Sequence, residues 1–299
     1  MTEQELEQQR REKWRVNSAE NAIRTLEDAA QFIASVGFCL MYPVRPPVLA
    51  PTFMGAFAGS DRDLPARQHA FRDPRAAEAT SLMVRLLRQR SAFETNLLGE
   101  TSLLLSAEIY PYFYALIGDR NPKQELTKSP RGNQISPLTQ EVFAAVQEHG
   151  PLSKPKLAER LGGSLSGAAL ERALNELWSR LRITRVDYQP GEGAFWDVLY
   201  RWAPEAVSQG TQLSLAEALS ALLSKYLDCV VAAEPEHIED FFQPMASRSR
   251  VREAVNALLA AREFDYFQVG RKTLLRITPP VAVRPQGQRR MPPRQKATS

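Results

Sequence analysis

Cysteine is scarce in this chain of 299 residues. Cys39 and Cys229 are too few for a disulfide framework, and both stand in apolar surroundings, where a buried thiol is expected. His69, His149 and His237 share no local spacing with either cysteine, which speaks against a zinc site or another metal centre. No apolar run approaches the roughly 18 residues of a membrane-crossing helix, and no signal peptide opens the chain, so a cytoplasmic protein is expected. Also missing are a glycine-rich phosphate loop and a Ser/His/Asp pattern, and no cofactor is expected. What remains is ordinary for a globular chain: 43% hydrophobic and 24% charged residues, with length enough for two or three domains.

Excess charge is equally scarce once it is located. The net charge of +4 suggests a polyanionic partner, but residues 279–299 hold Arg284, Arg289, Arg290, Arg294 and Lys296 and no acid. Without those five, 33 basic residues face 34 acidic ones, a charge of −1. The basic pI therefore belongs to the tail and says nothing about the folded part.

The most legible stretch runs from Leu138 to Trp202. Leu138, Val142, Phe143 and Val146 repeat at helical spacing up to Gly150-Pro151. A short helix follows from Ser153 to Leu161, with Ser153 as N-cap and Pro155 in the first turn, stopping at Gly162-Gly163. Leu170, Leu174, Leu177 and Leu181 line one face of a third helix. Then come strands Ile183–Tyr188 and Phe195–Trp202 around the turn Pro190-Gly191-Glu192-Gly193. Three helices and a hairpin in this order predict a winged helix-turn-helix, whose third helix reads a DNA major groove and whose hairpin is the wing. The same fold also serves to dock protein.

The flanks repeat the scheme. Residues 1–24 alternate acids and bases and predict a solvated arm with Trp14 as its anchor. Residues 25–118 predict a first, decorated winged-helix domain. A capping box at Thr25 and Asp28 opens its first helix, and a hairpin turns at Gly99 between Phe93–Leu98 and Glu100–Leu105. Ser106-Ala107-Glu108 then caps a helix, and a linker spans 119–136. The central domain covers 137–207, and Pro204 to Thr211 read as a second linker. In a C-terminal winged-helix domain, 211–278, the element starts are displaced by about 76 to 81 residues from their central counterparts. The tail, 279–299, is Pro- and Arg-rich and expected to be disordered. The fold class is thus mainly α with short β-hairpins (α+β), in three tandem winged helix-turn-helix domains.

Basic side chains on the third helices and wings are the candidate DNA contacts. Arg248, Arg250 and Arg252 stand at the start of the last domain's third helix, where the helix dipole adds attraction for phosphate, and Arg271 and Lys272 at its wing tip. In the central domain Lys154 and Lys156 open the second helix, while Arg172 and Asn175 lie on the outer face of the third. Glu236, Glu239 and Asp240 stand ready to neutralise the C-terminal cluster. Catalytic candidates are few: Glu94, Glu100 and Glu108 cluster around the first hairpin and could place a carboxylate in a cavity, though Glu108 is already accounted for as a capping partner.

Phe93-Glu94-Thr95-Asn96-Leu97-Leu98-Gly99-Glu100-Thr101 through Ser106-Ala107-Glu108-Ile109-Tyr110-Pro111-Tyr112-Phe113, with Gly150-Pro151-Leu152-Ser153 and Trp196 to Pro204, resembles the AlkZ/YcaQ-type winged-helix DNA glycosylases. The resemblance spans about residues 26–278. It implies tandem winged helices on double-stranded DNA and excision of alkylated or crosslinked bases. That family carries a Gln-x-Gln or Gln-x-Asp motif just after the first long helix, whose side chains hold a water beside the cationic sugar as the base leaves. Here the place is taken by Val36-Gly37-Phe38-Cys39-Leu40-Met41-Tyr42-Pro43, and Gln31 falls in the preceding helix. An apolar stretch cannot polarise water, and losing such a group costs about 10²–10⁴ in rate. The sequence therefore predicts a monomeric reader of distorted or damaged duplex without the usual excision chemistry, with no small-molecule cofactor and no membrane partner. It would sit at the nucleoid if the cell is bacterial. Two alternatives stand beside it: an active monofunctional glycosylase using Glu94 or Glu100, and a protein-docking scaffold.

Overall fold

The computed structural model describes residues 2–65, 72–98, 101–124, 126, 135–163 and 165–279. Helices dominate, with small antiparallel sheets between them. The expected turn at Gly99 and Glu100 and the tail beyond Pro279 lie outside the described residues.

Helix α1 (Glu3–Lys13) is followed by α2 (Leu26–Val36), which starts at the capping box read from the sequence. Thr25 Oγ1 accepts the Asp28 N–H at 3.1 Å, and the Asp28 carboxylate accepts the Thr25 N–H at 3.0 Å. Its apolar face buries Ala29, Phe32, Ile33 and Val36. The helix stops at Gly37, whose φ of +79° lets the chain turn at once into strand β1 (Phe38–Leu40). Helices α3 (Phe53–Ala58) and α4 (Pro74–Arg88) precede β2 (Ala92–Thr95) and β3 (Leu103–Ser106). The sheet order is β1-β3-β2, with Phe38 and Phe93 both opposite Leu105. Ser106 Oγ accepts the N–H of Ile109, the N-cap of α5 (Tyr110–Ile117), at 3.4 Å, and Glu108 is exposed and takes no part in the cap.

The middle of the chain has a core of its own. α6 (Pro137–His149), β4 (Leu152–Ser153), α7 (Lys154–Arg160) and α8 (Gly167–Ser179) lead to β5 (Ile183–Gln189) and β6 (Gly193–Val198), in sheet order β4-β6-β5. Val142, Phe143, Leu157, Leu174, Leu177, Trp178 and Trp196 meet inside it. Three local expectations need correction. Ser153 is the N-cap of α7 by position, but its hydroxyl bonds to Glu192 across the hairpin rather than to the helix. The second strand ends at Val198, and Leu199–Trp202 forms a short helix, α9. Pro204–Gln212, expected as a linker, is helix α10, because Ala206, Val207 and Gly210 bury a small-residue face. A Cβ at Gly210 would come within 2.7 Å of the Pro111 carbonyl, so only glycine permits this contact with α5.

The end of the chain folds as α11 (Leu215–Val230), α12 (Pro235–Phe242), α13 (Arg248–Ala260), β7 (Phe264–Val269) and β8 (Lys272–Ile277). It shares one continuous core with the first hundred residues. Phe38 of β1 stacks on Tyr226 with centroids 6.0 Å apart and meets Phe241 at 4.9 Å. Helix α1 is docked rather than a free arm. Besides Trp14 Nε1 donating to the Cys229 carbonyl at 2.9 Å, Arg10 Nε donates to the Val230 carbonyl at 2.9 Å and Leu6 is buried.

Candidate functional site

A cleft of about 1120 Å³ opens where the first part of the chain meets the middle. One wall is α4, which offers Thr80, Ser81, Arg85 and Arg88, with Met41 and Tyr42 just beyond β1. The other wall is the start of α7, the start of α8 and the β5–β6 hairpin. A nucleobase is a flat object far smaller than this volume. The apolar strand β1 does not fill it: Phe38, Cys39 and Leu40 are buried toward the common core, and only the residues after them reach the cleft.

Glu94 lies at the cleft floor. Its residue is 2% exposed, β2 holds it opposite Leu104, and its Oε1 accepts from Arg185 Nη1 at 3.2 Å. Its Oε2 has no hydrogen-bond partner, an expensive condition for a buried carboxylate oxygen. The Glu94 carbonyl accepts from Trp178 Nε1 at 2.9 Å and from Thr184 Oγ1 at 3.5 Å. Arg185 itself lies against two indoles, 4.3 Å from the Trp178 centroid and 5.0 Å from that of Trp196. Thus every polar partner of Glu94 named here comes from α8 or β5, 84 to 91 residues away in sequence. Arg185 and Trp178 escaped the sequence reading. The available signal was a lone cation inside a strand with tryptophans on both neighbouring elements.

Cations rim the cleft, mostly in ion pairs. Arg88 Nε meets Asp187 Oδ1 at 2.6 Å, and Lys154 Nζ meets Glu171 at 2.8 Å. Burial would raise the Asp187 carboxyl, yet hydrogen bonds from Arg88, the Tyr188 N–H and Gln189 outweigh it and hold Asp187 below the usual range. Lys156 Nζ lies over the Phe195 ring at 5.3 Å. Arg85 is exposed and has no side-chain partner among the described residues. Arg172 is exposed on α8, and Asn175 accepts from Asn96 Nδ2 at 3.4 Å.

The C-terminal basic cluster lies apart from the cleft and is largely neutralised. Arg252 makes a two-pronged contact with Glu239 at 2.6 and 2.8 Å, Arg248 meets Asp240 at 2.8 Å, and Lys272 meets Glu234 at 2.6 Å. The Arg252 hydrogen bonds pull the Glu239 carboxyl below its usual range, and those from Lys272 do the same to Glu234. Arg250 and Arg271 are exposed with no side-chain partner among the described residues. Glu100 lies outside those residues. Among them no group of His, Cys, Asp and Glu is arranged to hold a metal ion, and no helix is long and apolar enough to cross a membrane.

Residues 66–297 match the family described as DNA glycosylase AlkZ-like. Among solved structures the chain is similar to the Streptomyces sahachiroi DNA glycosylase AlkZ, at a TM-score of 0.55 and 17% identity, over 91% of this chain and 70% of that one. At that identity the likeness is one of fold. No curated protein matches the chain by sequence.

Proposed function

The chain belongs to the AlkZ-like DNA glycosylase family, and from that premise we propose that it binds damaged duplex DNA and receives an everted base in the cleft above Glu94. The observation that carries this reading is the buried Glu94 carboxylate, with one oxygen unpartnered, on the floor of a cleft of about 1120 Å³. An enzyme acting on a base inside a duplex must take it out of the stack and seat it in such a pocket.

The three groups of helices and hairpin are read as tandem winged helices, the first and last of them sharing one core. Phosphates would run along the rim, meeting Arg85, Arg88 and Lys154, with Lys156, Arg172 and Asn175 on the neighbouring face. Arg250 and Arg271 are free to extend the footprint, while Arg248, Arg252 and Lys272 must first exchange a carboxylate for a phosphate. A monomer suffices for this surface. Such a protein works where the DNA is, in the cytoplasm and at the nucleoid of a bacterial cell.

Strand β1 supplies no group for the chemistry, so the reaction falls to Glu94. Loosening of the C1′–N bond leaves positive charge on the sugar, which a carboxylate stabilises. Water then adds to C1′, its proton passes to the carboxylate, and that proton leaves with the base. The products are an abasic site and the free base, and atoms and charge balance without any cofactor.

A second reading is recognition without excision, as the apolar β1 alone suggests. It is favoured by the Arg185 contact, which neutralises one side of the carboxylate. Incubation with duplex carrying alkylated or crosslinked bases, scored for abasic sites, separates the two. The proposal expects release above a buffer blank, falling about 10²-fold or more in Glu94→Gln while duplex affinity is retained. Tight binding with no release would establish the second reading instead.

A further inference from the structure

We propose that Arg185 is the positioning residue of this site: it turns the Glu94 carboxylate so that Oε2 is the oxygen left for a bound sugar. This rests on the reading of Glu94 given above. Arg185 Nη1 engages Oε1 at 3.2 Å, while Oε2 remains without a partner. A glutamate carboxylate turns about the last of its three side-chain torsions, so which oxygen stays unpaired, here the buried Oε2, is chosen by whatever holds the other one.

The holder is itself unusually constrained. Its guanidinium carbon lies 4.3 Å from the Trp178 centroid and 5.0 Å from that of Trp196, and the two rings meet edge to face with centroids 5.1 Å apart. Trp178 at the same time anchors the Glu94 backbone through its Nε1, 2.9 Å from the Glu94 carbonyl. Backbone and side chain of one residue are thus fixed by a single cluster on α8, β5 and β6. Arg185 Nε is buried beside these rings without a hydrogen-bond partner, a costly condition for a charged group. A purely structural ion pair gains nothing from leaving both an oxygen and a nitrogen unsatisfied. A site whose ligand meets the free oxygen does.

Lysine cannot replace this arrangement, because it lacks both the planar face and the fork. The test uses duplexes holding a cationic pyrrolidine abasic analogue or the neutral tetrahydrofuran analogue, and reads the ratio of their affinities, which needs no turnover. The full chain is expected to prefer the cationic analogue by about tenfold, a difference of about 1.4 kcal/mol. Glu94→Gln should lose the preference. Arg185→Lys should bring it to twofold or less while its affinity for the neutral duplex stays within about twofold, an outcome that loss of structure alone would not give. Should Arg185→Lys not fold, Trp178→Phe decides: it keeps a ring under the guanidinium but removes the donor to the Glu94 carbonyl, and the preference should fall. Full preference in Arg185→Lys, or in Trp178→Phe if the first variant does not fold, overturns the positioning role and leaves Glu94 standing. No preference in the unaltered chain overturns the Glu94 reading and this inference with it.

Discussion

Burial sets the reactivity of Cys39 and Cys229. Desolvation in the common core pushes the Cys229 thiol up to about 12, and desolvation together with the nearby Cys229 pushes Cys39 well up as well. Only the thiolate attacks, so a raised value means almost no reactive form at pH 8. Ellman's reagent is expected to leave both thiols untouched in the folded protein and to titrate both in guanidinium; labelling of the native chain at the denatured rate would contradict this. The same logic governs the basic side chains. For Arg248 and Arg252 the sequence offered both phosphate and the acids Glu236, Glu239 and Asp240, and the fold settles the pairing on Asp240 and Glu239, 8 and 13 residues away on another helix. Arg85 was passed over because nothing in an amphipathic helix distinguishes a cation at a cleft rim from one in solvent.

At the scale of elements, caps fix where helices begin. The Ser214–Glu217 box opens α11 as the Thr25–Asp28 box opens α2. The hydrogen bonds with Ser214 hold the Glu217 carboxyl below its ordinary value of 4.5, and those with Thr25 hold Asp28 below 3.8. Because these values are depressed in the folded state, the contribution is complete above the ordinary values and is lost as pH falls through the folded ones. Thermal melts followed at 222 nm should therefore lose midpoint temperature below about pH 4.5, and Ser214→Ala with Thr25→Ala should flatten that dependence. Identical profiles for the two proteins would remove the caps from the account. Helix α10 teaches the complementary lesson. Pro, Glu and Gly gave its stretch the composition of a linker, and its helical state follows from packing against α5.

The whole molecule joins its two ends in one core and leaves the middle with its own. The cleft lies along that seam, and the charged tail follows it in sequence. If the five tail cations engage phosphates, truncation at Pro279 should reduce the log–log salt slope of duplex binding by about 4 to 5, whereas an unchanged slope would take the tail out of the interface. Arg248→Ala with Arg252→Ala tests the remaining alternative. Weaker binding in a folded double variant supports a DNA surface there, and unaltered binding would favour a protein-docking role for that end of the chain. Sequence alone determined the local features: the capping box at Thr25, the apolar faces of α6 and α8, the order of helices and strands in the middle of the chain though not the ends of the strands, the buried thiols and the apolar character of β1. These are set within one helix turn or one strand, where spacing translates directly into geometry. Only the tertiary structure decided that Glu94 would meet Arg185 across 91 residues, that acids would claim the C-terminal arginines, and that a cleft would stand open beside β1. Those outcomes depend on how finished elements pack against each other, and no periodicity along a single chain encodes the distance between two of its faces.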